Sequence, residues 1–264
     1  MSFKVEFPLI SVAPNGARKT KADLPQLPIT PEELAQEALR CADAGAGLFH
    51  IHVRDEQQRH SLDVGRYREA LAAIREAVGK RMILQISTET VGIYTPPDMI
   101  QTIHALKPEA FSVGVVELIP SSDFEQPAQE FLAWAHREGI QIQYILYSDH
   151  DVKYFSDLMT KGVIPNQSEY HVLFVLGKKT GVDAQVSDLG PFLAAHKEYL
   201  PAFITNWAIC AFGPHELACC VAAASTGGCV RIGFENNHLL PNGQIAPTNA
   251  ALVAEFRKEF PYAL

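Results

Sequence analysis

No stretch of this 264-residue chain approaches the roughly 18 consecutive apolar residues that cross a bilayer as a helix, so no membrane span is expected. Cysteine is sparse and unpatterned. Cys41, Cys210, Cys219, Cys220 and Cys229 include no C-x-x-C pair, which leaves out a thiolate metal knot and a dithiol redox motif. The start, Met1 to Glu6, carries no apolar leader. With an odd cysteine count, that gives the expectation of reduced, buried thiols in a cytoplasmic protein. Basic residues are in deficit, 22 Lys+Arg against 30 Asp+Glu, for a net charge of −8. Nucleic acid and anionic membrane surfaces need a basic footprint, so neither is an expected partner. Gly and Pro number only 17 each and form no linker. One domain spanning residues 1–264 is the simplest reading.

What the chain does have is alternation. Apolar runs of strand length occur at Phe7–Ala13, Gly47–Val53, Met82–Thr88, Ala110–Val116, Ile140–Tyr147, His171–Gly177, Phe203–Ile209 and Cys229–Glu235. Helical patterns separate them. Thr30-Pro31-Glu32-Glu33 reads as a capping box with proline at the first helical position, and Gly45 suits the end of that helix. Asp63 caps the next, with Tyr67, Leu71, Ile74 and Val78 at helical spacing. Strict βα alternation implies parallel strands with helical crossovers, and eight units imply a closed α/β structure, the (β/α)8 TIM barrel. The competing open sheet with a dinucleotide site needs G-x-G-x-x-G after the first strand. Here that turn reads Ala13-Pro14-Asn15-Gly16-Ala17-Arg18.

Barrel enzymes place chemistry at the C-terminal ends of the strands, so polar residues on the inward parity there are the candidates. His50 and His52 share one face of the second strand, roughly 7 Å apart, and can converge on one cation. On the last strand Arg231, Gly233 and Glu235 share a parity, and a buried Arg and Glu need pairing or ligation. Gly233 is read as room for a ligand or side chain. Glu235 is then a natural third ligand. His50, His52 and Glu235 with an open position suit catalytic Zn2+, with Fe2+ or Mn2+ also compatible. A metal-free ion pair of Arg231 with Glu235 is the alternative. Ser87 and Glu89 end the third strand on one face, placed to bind substrate or move a proton. Asn15, Glu117 and the pair Asp149–His150 are weaker candidates at other strand ends. The basic stretch Arg18-Lys19-Thr20-Lys21, and the helix opening at Phe212–Glu216, are places where phosphate groups of a nucleotide-like ligand would meet the protein.

Taken in order, Ala13–Ala17, Leu27–Glu33, Ala44–Ala46, His50–Asp55, Gln85–Thr88, Phe174–Gly177 and Arg231–Asn237 resemble the β-keto acid cleavage enzymes over nearly the whole chain. The resemblance implies a zinc-dependent barrel that converts a β-keto acid plus acetyl-CoA to acetoacetate plus a new acyl-CoA. It also implies a homo-oligomer, since relatives commonly assemble. His50, His52 and Glu235 fall on the family's metal ligands, Ser87 on a substrate-binding serine, and Arg231 on the arginine tied to proton handling and substrate orientation. Arginine is a poor base on its own. In a characterised member an Asp behind the glutamate ligand supports that arginine. Here Asn236 stands there, so a carboxylate from Glu89, Glu117 or Asp149 is needed to hold the proton. The same member pairs an acidic residue of the first loop with its substrate's amino group. Arg18 stands near that place, which implies keto acids with neutral or anionic tails. A CoA-independent metal-dependent C–C lyase, or a barrel hydrolase, is the competing expectation.

Overall fold

The computed structural model describes residues 8–177, 181–201 and 205–261. Eight parallel strands close into a barrel: Ile10–Val12, Leu48–Ile51, Ile83–Ser87, Ala110–Gly114, Gln141–Leu146, Tyr170–Leu176, Thr205–Ala211 and Cys229–Ile232. Each pairs with the next in the chain, and the first closes on the last through Ser11 opposite Arg231. The expected (β/α)8 barrel is therefore present. Phe7, and residues 203–204 of the seventh expected strand, lie outside the described residues.

The helices form for the reasons read from the sequence. Thr30 caps Pro31–Asp43: its hydroxyl accepts from the Glu33 amide at 3.3 Å, and the Glu33 carboxylate accepts from the Thr30 amide at 3.1 Å. Leu34, Ala38 and Cys41 form its buried stripe. Asp63 caps Val64–Val78 with its carboxylate, which accepts from the Arg66 amide at 2.8 Å.

Strand parity sorts the core. Phe49, Ile51, Leu84, Ile86, Phe111 and Val113 face outward into the main apolar cluster beneath the helices. The inward residues are layered. Leu48, Ile83 and Ala110 cluster at the N-terminal base. Above them His50, Gln85, Ser87, Ser112, Gln143 and Arg231 are all buried, so the upper interior is polar. Burying that many polar groups is costly unless each is paired or ligated, which marks this end as the place to look for chemistry.

Three strands end two or three residues before their expected C-terminal ends. The second stops at Ile51, and Val53–Arg54 instead pairs antiparallel with His60–Ser61 in a small hairpin. The fourth stops at Gly114, and Val115–Leu118 is a helical turn. The last stops at Ile232, because Gly233 takes a φ of 141°. A Cβ there would lie 2.4 Å from the Ala13 carbonyl oxygen. Of the ligand or side chain expected there, Gly233 makes room for the Asn249 side chain, whose Oδ1 would lie 2.9 Å from that Cβ, and for the first strand's backbone.

Candidate active site

His50 leaves the end of the second strand, and His52 follows it in the link to the hairpin. Their Nε2 atoms lie 3.0 Å apart. Glu235 comes from the turn after the last strand, where its amide donates to the Ala13 carbonyl at 3.1 Å. Its Oε2 lies 3.3 Å from His52 Nε2 and 3.8 Å from His50 Nε2. These three side chains offer ligand atoms all within 4.8 Å of one another.

Hydrogen bonding decides what those atoms can do. His50 Nδ1 is 2.8 Å from Gln85 Oε1, and Gln85 Nε2 in turn donates to Gln143 Oε1 at 3.3 Å. That orientation makes His50 Nδ1 the donor and leaves Nε2 a lone pair. His60 Nε2 is 2.8 Å from the Glu89 carbonyl oxygen, which only accepts. Burial pushes the His60 pKa down to about 3, so the ring is neutral and its Nδ1 is an acceptor. His52 Nδ1, 3.4 Å away, donates to it, and His52 Nε2 is left a lone pair. Two imidazole lone pairs thus converge on a carboxylate oxygen that is buried and accepts no hydrogen bond. Three electron-rich atoms so arranged repel unless a cation lies among them. The donor set fits a divalent metal.

Arg231 closes the other side. Its Nη2 donates to Glu235 Oε1 at 2.9 Å and reaches Asn236 Oδ1 at 3.5 Å, while its Nε is buried without an acceptor. Burial would raise the Glu235 carboxyl, but the Arg231 guanidinium beside it outweighs burial and holds it well below the usual carboxylate range. Burial, then Arg231, holds His50 well below the ordinary imidazole value. The ion pair and the ligand set coexist: Oε1 serves Arg231 and Oε2 faces the histidines.

The other expected residues divide. Ser87 and Glu89 share the small space beside the triad with Tyr147 and Arg231. Ser87 Oγ accepts from the Glu89 amide at 3.1 Å, so its own hydrogen is available to a ligand. Glu89 also lines a neighbouring cavity of about 330 Å³, walled by Asn15, Arg18, Phe212, Asn236 and His238, that opens at the barrel mouth. Arg18 reaches into it 3.7 Å from Glu89. Asn15 donates to the Pro28 and His52 carbonyls, and its buried Oδ1 accepts nothing.

Glu117 stands one step back, accepting from Thr90 and from the Tyr147 hydroxyl, each at 3.2 Å. Asp149 and His150 are exposed in the first turn of Asp149–Thr160 and reach neither space. The basic stretch is divided among separate partners, with Arg18 and Lys19 on the cavity wall. Lys19 turns inward to donate to the Phe234 and Glu235 carbonyls, and Lys21 pairs with Glu33.

Sequence reasoning missed His60 and gave Glu216 no role of its own within Phe212–Glu216. His60 needs the hairpin to bring it to His52, and nothing in its neighbours signals that. Glu216 opens the helix Glu216–Ser225 and turns inward, accepting from the Gly233 amide at 3.0 Å and Asn236 Nδ2 at 3.1 Å. Burial raises its carboxyl to about 8. An acid heading an otherwise apolar helix was the available signal.

A solved structure, apo ObcA, shares the fold, with a TM-score of 0.73 at 17% identity over 90% of this chain and 62% of that one. The chain thus spans about three fifths of ObcA. The 3-keto-5-aminohexanoate cleavage enzyme of Acetoanaerobium sticklandii is 29% identical over 96% of this chain and 92% of its own length. The 3-oxoadipate:acetyl-CoA acetyltransferase of Cupriavidus necator is 26% identical over 94% of this chain and 86% of its own. The family profile of the β-keto acid cleavage enzymes matches residues 8–260, and this chain belongs to that family.

Proposed function

We propose that this protein joins a β-keto acid and acetyl-CoA to give acetoacetate and a new acyl-CoA, at a Zn2+ held by His50, His52 and Glu235. The convergence of two imidazole lone pairs with Glu235 Oε2 carries this reading. A zinc ion held by that set would supply a Lewis acid for the substrate's keto group and for the negative charge that develops on cleavage.

Arg231 is a charge that stays. Burial alone would lower its pKa, but Cys210, Glu235 and Glu89 outweigh burial and raise it. It therefore orients the substrate carboxylate and does not exchange a proton. Ser87 donates its hydroxyl hydrogen to a substrate oxygen. Asn15 Oδ1 and Asn236 face the cavity as polar contacts for the rest of the ligand. Glu89 lies beside both spaces and takes the proton from the methylene between the keto and carboxyl groups. The roughly 330 Å³ cavity admits the keto-acid tail and the thioester end of acetyl-CoA. The protein acts as a homo-oligomer in the cytoplasm, a reducing compartment that its free, largely buried cysteines suit.

The test mixes purified protein, assayed for metal, with acetyl-CoA and a panel of β-keto acids, following acetoacetate and acyl-CoA by mass spectrometry. Acetoacetate formed only when both substrates are present, and lost in His50→Ala, is the expected result. Cleavage without acetyl-CoA would replace the proposal with the CoA-independent lyase.

A further inference from the structure

We propose that His60 is a positioning residue that holds His52 in its metal-ligating tautomer and, through its other nitrogen, pins the turn that carries Glu89. The inference rests on the metal assignment above and extends it to the wall of the substrate cavity.

Two contacts place the ring, and a third ties them together. Hairpin pairing sets Arg54 opposite His60. Tyr94 stands edge-on to the imidazole, with centroids 5.8 Å apart. The Tyr94 hydroxyl accepts from the Leu62 amide at 3.2 Å, tying that contact to the hairpin's end. The buried imidazole then has a single satisfied arrangement, with Nε2–H on the Glu89 carbonyl and Nδ1 facing His52 Nδ1. Rotating the ring by half a turn would put carbon atoms against both partners. His60 therefore fixes where the hydrogen of His52 sits, and a ligating histidine depends on that choice.

The second consequence follows from chain continuity. The carbonyl that His60 holds belongs to Glu89, whose side chain lines both the triad space and the larger cavity and faces Arg18. One imidazole thus serves the metal ligand on one side and the substrate wall on the other. A residue that only filled space here would need neither nitrogen.

Two substitutions separate the two roles. His60→Leu removes both hydrogen bonds. His60→Asn keeps an acceptor near the Nδ1 position but is too short to reach the Glu89 carbonyl. Zinc affinity is read by competition with a fluorescent chelator, with cooperative thermal melting as the check on folding. His60→Leu is expected to lose about 10–100-fold in zinc affinity. His60→Asn is expected to stay within about threefold of the native protein. With zinc saturating, both variants should raise KM for the keto acid more than they lower kcat.

A folded His60→Leu that binds zinc as the native protein does overturns the inference. So does a His60→Asn that loses as much affinity as the leucine variant. A native protein that binds no zinc overturns this inference and the metal assignment together. Zinc binding that follows the expected order in a protein that cleaves no keto acid overturns the reaction and leaves His60 in its role.

Discussion

Gly16 lies directly against the side chain of Glu235: a Cβ on Gly16 would come within 2.6 Å of the Glu235 Cγ, and its φ is +60°. The Asn15–Gly16 turn is itself clamped by Arg54, whose guanidinium donates to the Gly16 carbonyl at 3.0 Å and to that of Asn15 at 3.2 Å. Gly16→Ala must therefore strain the left-handed backbone, at about 1–2 kcal/mol, and push Glu235 aside. The expected result is a folded variant with zinc affinity lowered by at least tenfold. Chelator competition reads it, and unchanged affinity would show that Glu235 has slack the packing denies.

Metal removal should be visible in stability. The triad is buried, and its lone pairs face one another at 3.0 Å. A cation bound at 100 times its Kd adds about 2.7 kcal/mol to the folded state. Treatment with a chelator should lower Tm by several degrees, and added zinc should restore it. His50→Ala should melt at one temperature with or without zinc. Identical melting of the native protein in both conditions would exclude a bound ion.

Glu216 makes a prediction about pH. Its carboxyl is pushed up to about 8 by burial, against an ordinary value of 4.5. Between those values the unfolded chain has released the proton and the folded chain keeps it. Stability therefore falls as pH rises through that window and levels off above about 8. The depressed histidines act below 6.5 and the raised cysteines above 9, so a difference between the native protein and a Glu216 variant from 7 to 8 reports this carboxyl. Urea midpoints should drop across that range in the native protein and stay flat in Glu216→Gln, whose amide still accepts from Gly233 and Asn236. Equal slopes in both proteins would remove Glu216 as the cause.

The parts of this molecule written in local pattern were legible from the sequence. The eight barrel strands follow from βα alternation, and the His50–His52 spacing and the parity of Arg231 point inward as they should. Glu235 was reached by a straight-strand argument, although the strand ends at Ile232 and a turn delivers the carboxylate to the same place. The hairpin that brings His60 to His52 depends on pairing across a loop, and the inward turn of Glu216 depends on donors from residues 233 and 236. No periodicity encodes contacts of that kind. Asp149 illustrates the reverse error. It stands near a strand's end, but helix Asp149–Thr160 begins there and carries it out to solvent.

The substrate's charge is the last point the cavity argues. Arg18 Nη2 lies 3.7 Å from Glu89 Oε1, with the arginine side chain 55% exposed and the glutamate 8%. The pair offsets the acid's charge for a tail entering the cavity, and the arginine is its exposed end. An ammonium on the tail meets that guanidinium, whereas a carboxylate is drawn to it. Because Arg18 is more than half exposed, the effect is modest, about 1 kcal/mol or roughly fivefold in kcat/KM. The native protein should therefore turn over 3-oxoadipate faster than 3-keto-5-aminohexanoate. Arg18→Glu removes the attraction and adds a repulsion, so the ratio should shift by roughly 25-fold and reverse. Raising salt to about 1 M should shrink both differences, since screening then acts within about 3 Å. A native preference for the amino-bearing acid, or a ratio that Arg18→Glu leaves alone, would mean that the tail is read elsewhere in the cavity.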